Sequence, residues 1–125
     1  TLIMPVFLCM LFALVDFGRG FYAWLLVTNA AREGARAAAV QSDAATIDSK
    51  IYGSFCSPYP SNCAIDQTKI AITKTNVQGT RGTQTTVKVV YTFNYVTPIG
   101  SLVSLIGGSS LSAPVIQSTS NMRLE

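Results

Sequence analysis

A chain of 125 residues has room for one small domain, and only 12% of this one is charged, about half the roughly one-quarter share common in soluble domains. The net charge is +3, but its Lys and Arg residues are scattered, which speaks against a nucleic-acid interface. Histidine is absent and the cysteines are Cys9, Cys56 and Cys63. A His–Cys zinc site, a Ser-His-Asp triad and a Cys–His pair are therefore excluded within the chain. No cofactor or metal is expected.

Residues 2–40 organise the rest. The segment from Leu2 to Val15 carries no charge, and Asp16 and Arg19 are the charged residues before Val27. Phe7, Leu8, Met10, Leu11, Phe12, Leu14 and Val15 cover every face at 100° per residue. A helix apolar all round is buried in lipid or in other protein. Fifteen residues reach about 22 Å, short of a hydrocarbon core of roughly 30 Å, whereas continuing to Val27 gives about 40 Å. Pro5 fits a first helical turn and would kink the helix if it lay deeper. Cys9 reads as a small hydrophobe. The start at Thr1 reads as a processed product, or as a chain with residues ahead of it.

Asp16 and Arg19 are three apart and share one helix face. Two readings stand: a self-neutralised pair near a membrane boundary, or a pair that reaches a neighbouring subunit and sets register. Beyond Gly20, Phe21, Trp24, Leu25 and Thr28 form a stripe, and Phe21, Tyr22 and Trp24 suit a membrane–water interface. The run 29–40, NAAREGARAAAV, has little bulk. Gly34, Ala35 and Ala38 offer a close-approach face for another helix, although alanine also simply stiffens a helix. Glu33 is spaced to pair with Arg36.

A second helical pattern starts at Asp43, with Ile47, Ile51 and Tyr52 on one face and Gly53 as a stop. If the first helix ran unbroken into it, the rod would be roughly 78 Å long. CSPYPSNC follows. Its two prolines and Asn are turn chemistry, and a Cys56–Cys63 disulfide would close the loop, as suits a small head outside the cytosol. Two unrelated thiols are the alternative.

Three strands are then expected. KIAITKT (69–75) places Ile70 and Ile72 on one face. NVQGTRGTQ (76–84) reads as a flexible hairpin tip. TTVKVVYTFNYV (85–96) alternates Val87, Val89, Tyr91, Phe93 and Tyr95 with more polar positions and is rich in β-formers. Residues 99–106 suit one or two helical turns, and 112–124 a last strand. The fold class is α+β: a long N-terminal hydrophobic helix, then a small three-stranded antiparallel β-meander head that the helix's C-terminal half covers. The expected division is 1–27 hydrophobic helix, 28–55 amphipathic continuation on the head, and 56–125 β-sheet head. Asp43, Asp48, Asp66 and Glu125 fall in no spacing with a base or nucleophile, and the glycine-rich 107–110 lacks a phosphate-loop lysine. The chain does not read as an enzyme.

Pro5 within the apolar stretch, DFGRGFYAW and TNAAREGARAAAV together resemble the TadE-like pilins of tight-adherence pili, relatives of type IV pilins. TFNYVTPIGSL and STSNMRLE are similar to that family's last strands, so the resemblance extends over almost the whole chain. It implies a pilin-like fold and a precursor cleaved by a prepilin peptidase. It implies residence in a prokaryotic inner membrane, then extraction by pilus assembly machinery into an extracellular filament for adhesion. It also implies a glutamate six residues before the proline matching Pro5, a position that falls ahead of Thr1.

The expected function is thus a structural subunit polymerising as a helical homo-oligomer. Phe7, Leu11, Leu14, Asp16, Arg19, Trp24, Gly34, Ala35 and Ala38 would form its helix–helix contacts. A minor subunit that initiates or tips another pilus, and a single-pass anchored binding domain, are the alternatives.

Overall fold

The computed structural model describes residues 1–56, 63, 67–94, 97–98, 101, 104–105, 107 and 114–125. Helix α1 runs Ile3–Ala39 and helix α2 Ala44–Phe55; strands β1 (Ile70–Thr75), β2 (Gln84–Thr92) and β3 (Val115–Arg123) form one antiparallel sheet in the order β1-β2-β3. The fold is α+β with a pilin-like arrangement, a long apolar N-terminal helix carrying a small sheet.

Pro5 lies in the first turn of α1, where its missing N–H would have had no helical partner. The 37 residues of α1 extend about 55 Å. No continuous rod forms, because the chain turns sharply after Val40. Gln41 takes φ 58°. Its N–H donates to the Ala38 carbonyl at 3.0 Å, and the Ser42 N–H to the Ala37 carbonyl at 3.2 Å. This is the Schellman pattern, with a glutamine where glycine is usual.

Asp43 then starts α2 in an extended conformation. The Thr46 hydroxyl donates to its carboxylate and holds the Asp43 pKa below its ordinary value of 3.8. The expected stop at Gly53 is corrected: α2 continues to Phe55. Ile47, Ile51 and Phe55 recur every four residues and are all buried. Burying a phenylalanine contributes about 1.5–3 kcal/mol, more than the roughly 1 kcal/mol that an internal glycine costs.

Strand register places Ile70, Tyr91 and Ile116 in one inward row, Ile72, Val89 and Ser118 in the next, and Lys74, Val87 and Ser120 in a third. Thr85, Val87, Val89 and Tyr91 of β2 are buried, while the outward positions of β1 and β3 are exposed. β2 ends at Thr92, earlier than expected; Phe93 leaves the strand, and its N–H donates to the Pro114 carbonyl at 3.0 Å. Tyr95 and Val96 lie outside the described residues, as does most of the 99–106 turn, of which Ser101, Ser104 and Leu105 are helical.

The hairpin tip expected to be flexible is hydrogen-bonded to its surroundings. The Gly82 N–H donates to the Leu124 carbonyl, the Leu124 N–H to the Thr83 carbonyl, and the Arg123 guanidinium to the Gly82 carbonyl. Gly82 sits at φ +87°, a region that residues with a Cβ enter at a steric cost. The Asn76 amide spans the tip to Thr83 and Gln84.

The core lies between α1, α2 and the inner sheet face. From α1 it receives Ala23, Val27, Ala30, Ala31, Ala35 and Ala38, a stripe at helical spacing. The terminal Glu125 N–H donates to the Ala39 carbonyl at 3.0 Å, tying the chain end to the end of α1.

Candidate functional site

The feature with functional consequence is α1 itself, which has two surfaces of opposite character. Its C-terminal half sits on the head. Its N-terminal half projects, with Phe7 57%, Leu11 41% and Leu14 67% exposed. Phe7, Met10, Leu11, Ala13, Leu14 and Phe17 line an apolar groove along this arm. On the face away from the head the apolar surface continues through Phe21, Tyr22, Trp24 and Leu25, all exposed, with the Phe21 and Trp24 rings 5.8 Å apart.

Water is a poor solvent for this arm. Each large apolar side chain gains about 1.5–3 kcal/mol on full burial, so more than a dozen of them forgo several tens of kcal/mol as an upper bound. A domain's entire stability is about 5–15 kcal/mol. Lipid or other protein would be the favourable cover for this arm, and the helix is long and apolar enough to cross a membrane.

Asp16 and Arg19 do not pair with each other; each is engaged by the head instead. The Thr97 hydroxyl donates to Asp16 Oδ2, while the Arg19 guanidinium lies 5.7 Å from the centre of the Phe93 ring, a cation–π arrangement. Asp16 is 5% exposed, between Val15 at 54% and Phe17 at 73%. Its Oδ1 has no partner among the described residues. The head thus screens the carboxylate from whatever covers the arm.

The small-residue face packs inside this chain. Ala35 and Ala38 are fully buried, and Gly34 is buried beneath Ile51 of α2 and Val87 of β2. These three residues bring α1 close to its own head. Among the described residues no ion pair joins Glu33 to Arg36. Exposed side chains held loosely in water gain little from pairing. The groove of Glu33, Arg36, Ala37, Val40 and Lys50 is open and of mixed charge.

Cys56 and Cys63 form a disulfide, to whose two sulfurs the Gln67 amide donates. Cys9 is a free thiol on the exposed arm. Two groups of contacts escaped the sequence reading. Lys74 bridges Asp48 at 2.6 Å and donates to the Ala44 carbonyl at 3.2 Å, joining β1 to α2. Thr97 and Phe93 clasp the helix; no local pattern marks them, because the Thr97–Asp16 contact is 81 residues apart in sequence. Among the described residues no cluster of His, Cys, Asp or Glu has metal-binding geometry.

A membrane-capable helix whose far half is built into a small disulfide-bearing α+β head defines the architectural class: a helix-anchored, pilin-like protein. Residues 1–36 match the family described as TadE-like protein. The resemblance therefore holds over the helix and not, by this match, over β2, β3 or the turn between them. No curated protein and no solved structure matches the chain. The match over the helix, with its exposed apolar surface, fits a membrane-anchored protein associated with tight-adherence pili.

Proposed function

We propose that the protein is a structural pilin-like subunit that rests in the inner membrane through α1 and assembles through the same helix into a tight-adherence pilus. The observation that carries this reading is the exposed apolar arm beside a well-packed head. An arm of this kind is satisfied equally by acyl chains and by neighbouring helices, so one surface serves before and after assembly. Phe7, Leu11, Leu14 and Trp24 make the helix–helix contacts. Asp16, Gly34, Ala35 and Ala38 act within the subunit, and Arg19 is held on Phe93. Head-to-tail repetition of a contact that does not close into a ring generates a helical fibre.

The test is electron microscopy and immunolabelling of material sheared from cells. Fibres that contain the protein, and that are lost in a Phe7→Ala/Leu11→Ala/Leu14→Ala triple variant still present in the membrane, support the proposal. Recovery of the protein as membrane-bound monomers alone, with none in the sheared fraction, overturns it. A main component would dominate the fibre mass, whereas a minor, initiating subunit would be rare in it.

A further inference from the structure

We propose that the outer face of α1 just past its aromatic positions, Arg32 and Arg36 with Lys50 of α2 beside them, binds the headgroups of anionic phospholipids in the leaflet nearest the head. The proposal rests on the membrane-anchored reading of α1 and adds that the anchor selects its lipids by charge.

At about 100° per residue, Leu11, Leu14, Tyr22, Leu25, Arg32 and Arg36 fall within one sector of about 80°, and each of them is exposed. The buried stripe that meets the head, from Ala23 to Ala38, is centred about 180° away. One strip therefore runs along the side of α1 opposite the head, apolar on the arm and basic beyond it. Whatever covers the apolar length is led directly to the two guanidinium groups.

Depth along the helix fits a lipid headgroup. Aromatic side chains settle at the membrane–water boundary, here Tyr22 and Trp24, both exposed. Arg32 lies eight residues past Trp24 and Arg36 twelve, about 12 and 18 Å along the axis. Helical side chains lean back over the preceding turn by roughly 5 Å, which here is toward the bilayer. That brings the Arg32 guanidinium to about 7 Å above Trp24, inside a headgroup layer about 5–8 Å deep. Arg36 then lies within the roughly 8 Å screening length of that layer.

The charges are also free to bind. Among the described residues the one salt bridge is Lys74–Asp48, so no carboxylate holds Arg32, Arg36 or Lys50, all exposed. Arg36 and Lys50 line one open groove whose acid is Glu33, and with Arg32 they leave a basic excess. Like charges at i, i+4 repel on a helix, and an anion between Arg32 and Arg36 relieves that repulsion. A guanidinium fork matches a phosphate in geometry as well as in charge. A second copy of the chain is a poorer match. At net charge +3 it sets basic surface against basic surface, and its Asp16 and Asp48 carboxylates are already held by Thr97 and Lys74.

The experiment uses the full chain in mixed phosphatidylcholine–phosphatidylglycerol vesicles, with bromine on the acyl chains of one lipid or of the other. Trp24 is the single tryptophan, so a Trp24→Phe background is dark. In it, Leu25→Trp places a reporter directly below Arg32, against the acyl chains of any lipid held there, and Leu14→Trp reports anchoring. The expected result is stronger quenching of Leu25→Trp by the brominated phosphatidylglycerol, a preference of roughly fivefold or more. It should fall to parity in Arg32→Gln/Arg36→Gln and in high salt. Equal quenching of Leu25→Trp by the two lipids, with Leu14→Trp quenched, overturns the headgroup site and leaves the anchor standing. A preference that survives Arg32→Gln/Arg36→Gln also overturns the site. Equal quenching together with loss of fibres in Arg32→Gln/Arg36→Gln overturns the lipid in favour of a neighbouring subunit. Leu14→Trp quenched by neither lipid overturns the anchor itself, and the site with it.

Discussion

Replacing Gly34 with alanine sets two opposing effects against each other at the junction of α1, α2 and β2. Helix propensity favours the change by about 1 kcal/mol. Packing opposes it: a Cβ at this position would lie 2.6 Å from Ile51 Cδ1, 2.7 Å from Ile51 Cγ1 and 3.0 Å from Val87 Cγ1. Comfortable carbon contacts are about 3.5–4.0 Å. Ile51 Cδ1 can swing away, but Cγ1 of this fully buried residue moves only if α2 shifts or Ile51 leaves the one χ1 that a β-branched side chain prefers in a helix. Overpacking of this kind costs about 1–3 kcal/mol, so packing wins and the variant loses stability. For a head of this size the melting temperature should fall by several degrees, taking roughly 4–8 °C per kcal/mol. Circular dichroism of the full chain in mild detergent measures it. Ile51→Ala alone should cost about 2–5 kcal/mol by leaving a cavity. The double variant should cost less than the sum by about 1 kcal/mol or more, because the new methyl enters the vacated space. A Gly34→Ala protein that melts higher than the parent, or strictly additive losses, would refute the reasoning.

Further outcomes follow from individual contacts. Gln41→Gly removes a Cβ from a left-handed position and should raise stability by up to about 1 kcal/mol, read as a higher melting temperature. The depressed pKa of Asp43, caused first by the Thr46 hydroxyl, means that its ionised form stabilises the start of α2. That contribution is fully present above 3.8 and is lost as pH falls through the lower folded-state value. Melts of the parent and Asp43→Asn should therefore differ at neutral pH and converge in acid; a constant gap across that window would contradict the assignment. Thr97→Val removes the one donor to Asp16 among the described residues, which should cost about 1–3 kcal/mol. Faster proteolysis of the head in membranes would report it, and Thr97→Ser should restore the parent's resistance.

The sequence by itself determined what repeats locally. The unbroken apolar arm, the buried stripe of α1, the pattern Ile47–Ile51 and the alternation of Val87, Val89 and Tyr91 are visible because helix and strand periods act on near neighbours. The TadE-like character of residues 1–36 is of the same kind. Where local rules disagreed, the sequence could not arbitrate: Gly53 reads as a stop, yet Phe55 extends the helix because the core has a place for its ring. Gln41 gave no sign of a left-handed turn, since its conformation is imposed by the closing hydrogen bonds and not by its own preference.

Only the tertiary structure decided which surfaces are buried within the chain. The small face of Gly34, Ala35 and Ala38 is equally suited to a neighbour's helix or to its own α2. Asp16 and Arg19 are spaced to pair with each other and instead meet Thr97 and Phe93. In each case several partners satisfy the same side chain, and the long-range approach of the chain to itself chooses one. What that choice leaves uncovered is the apolar arm from Leu2 to Leu25, the surface suited to lipid or to other protein.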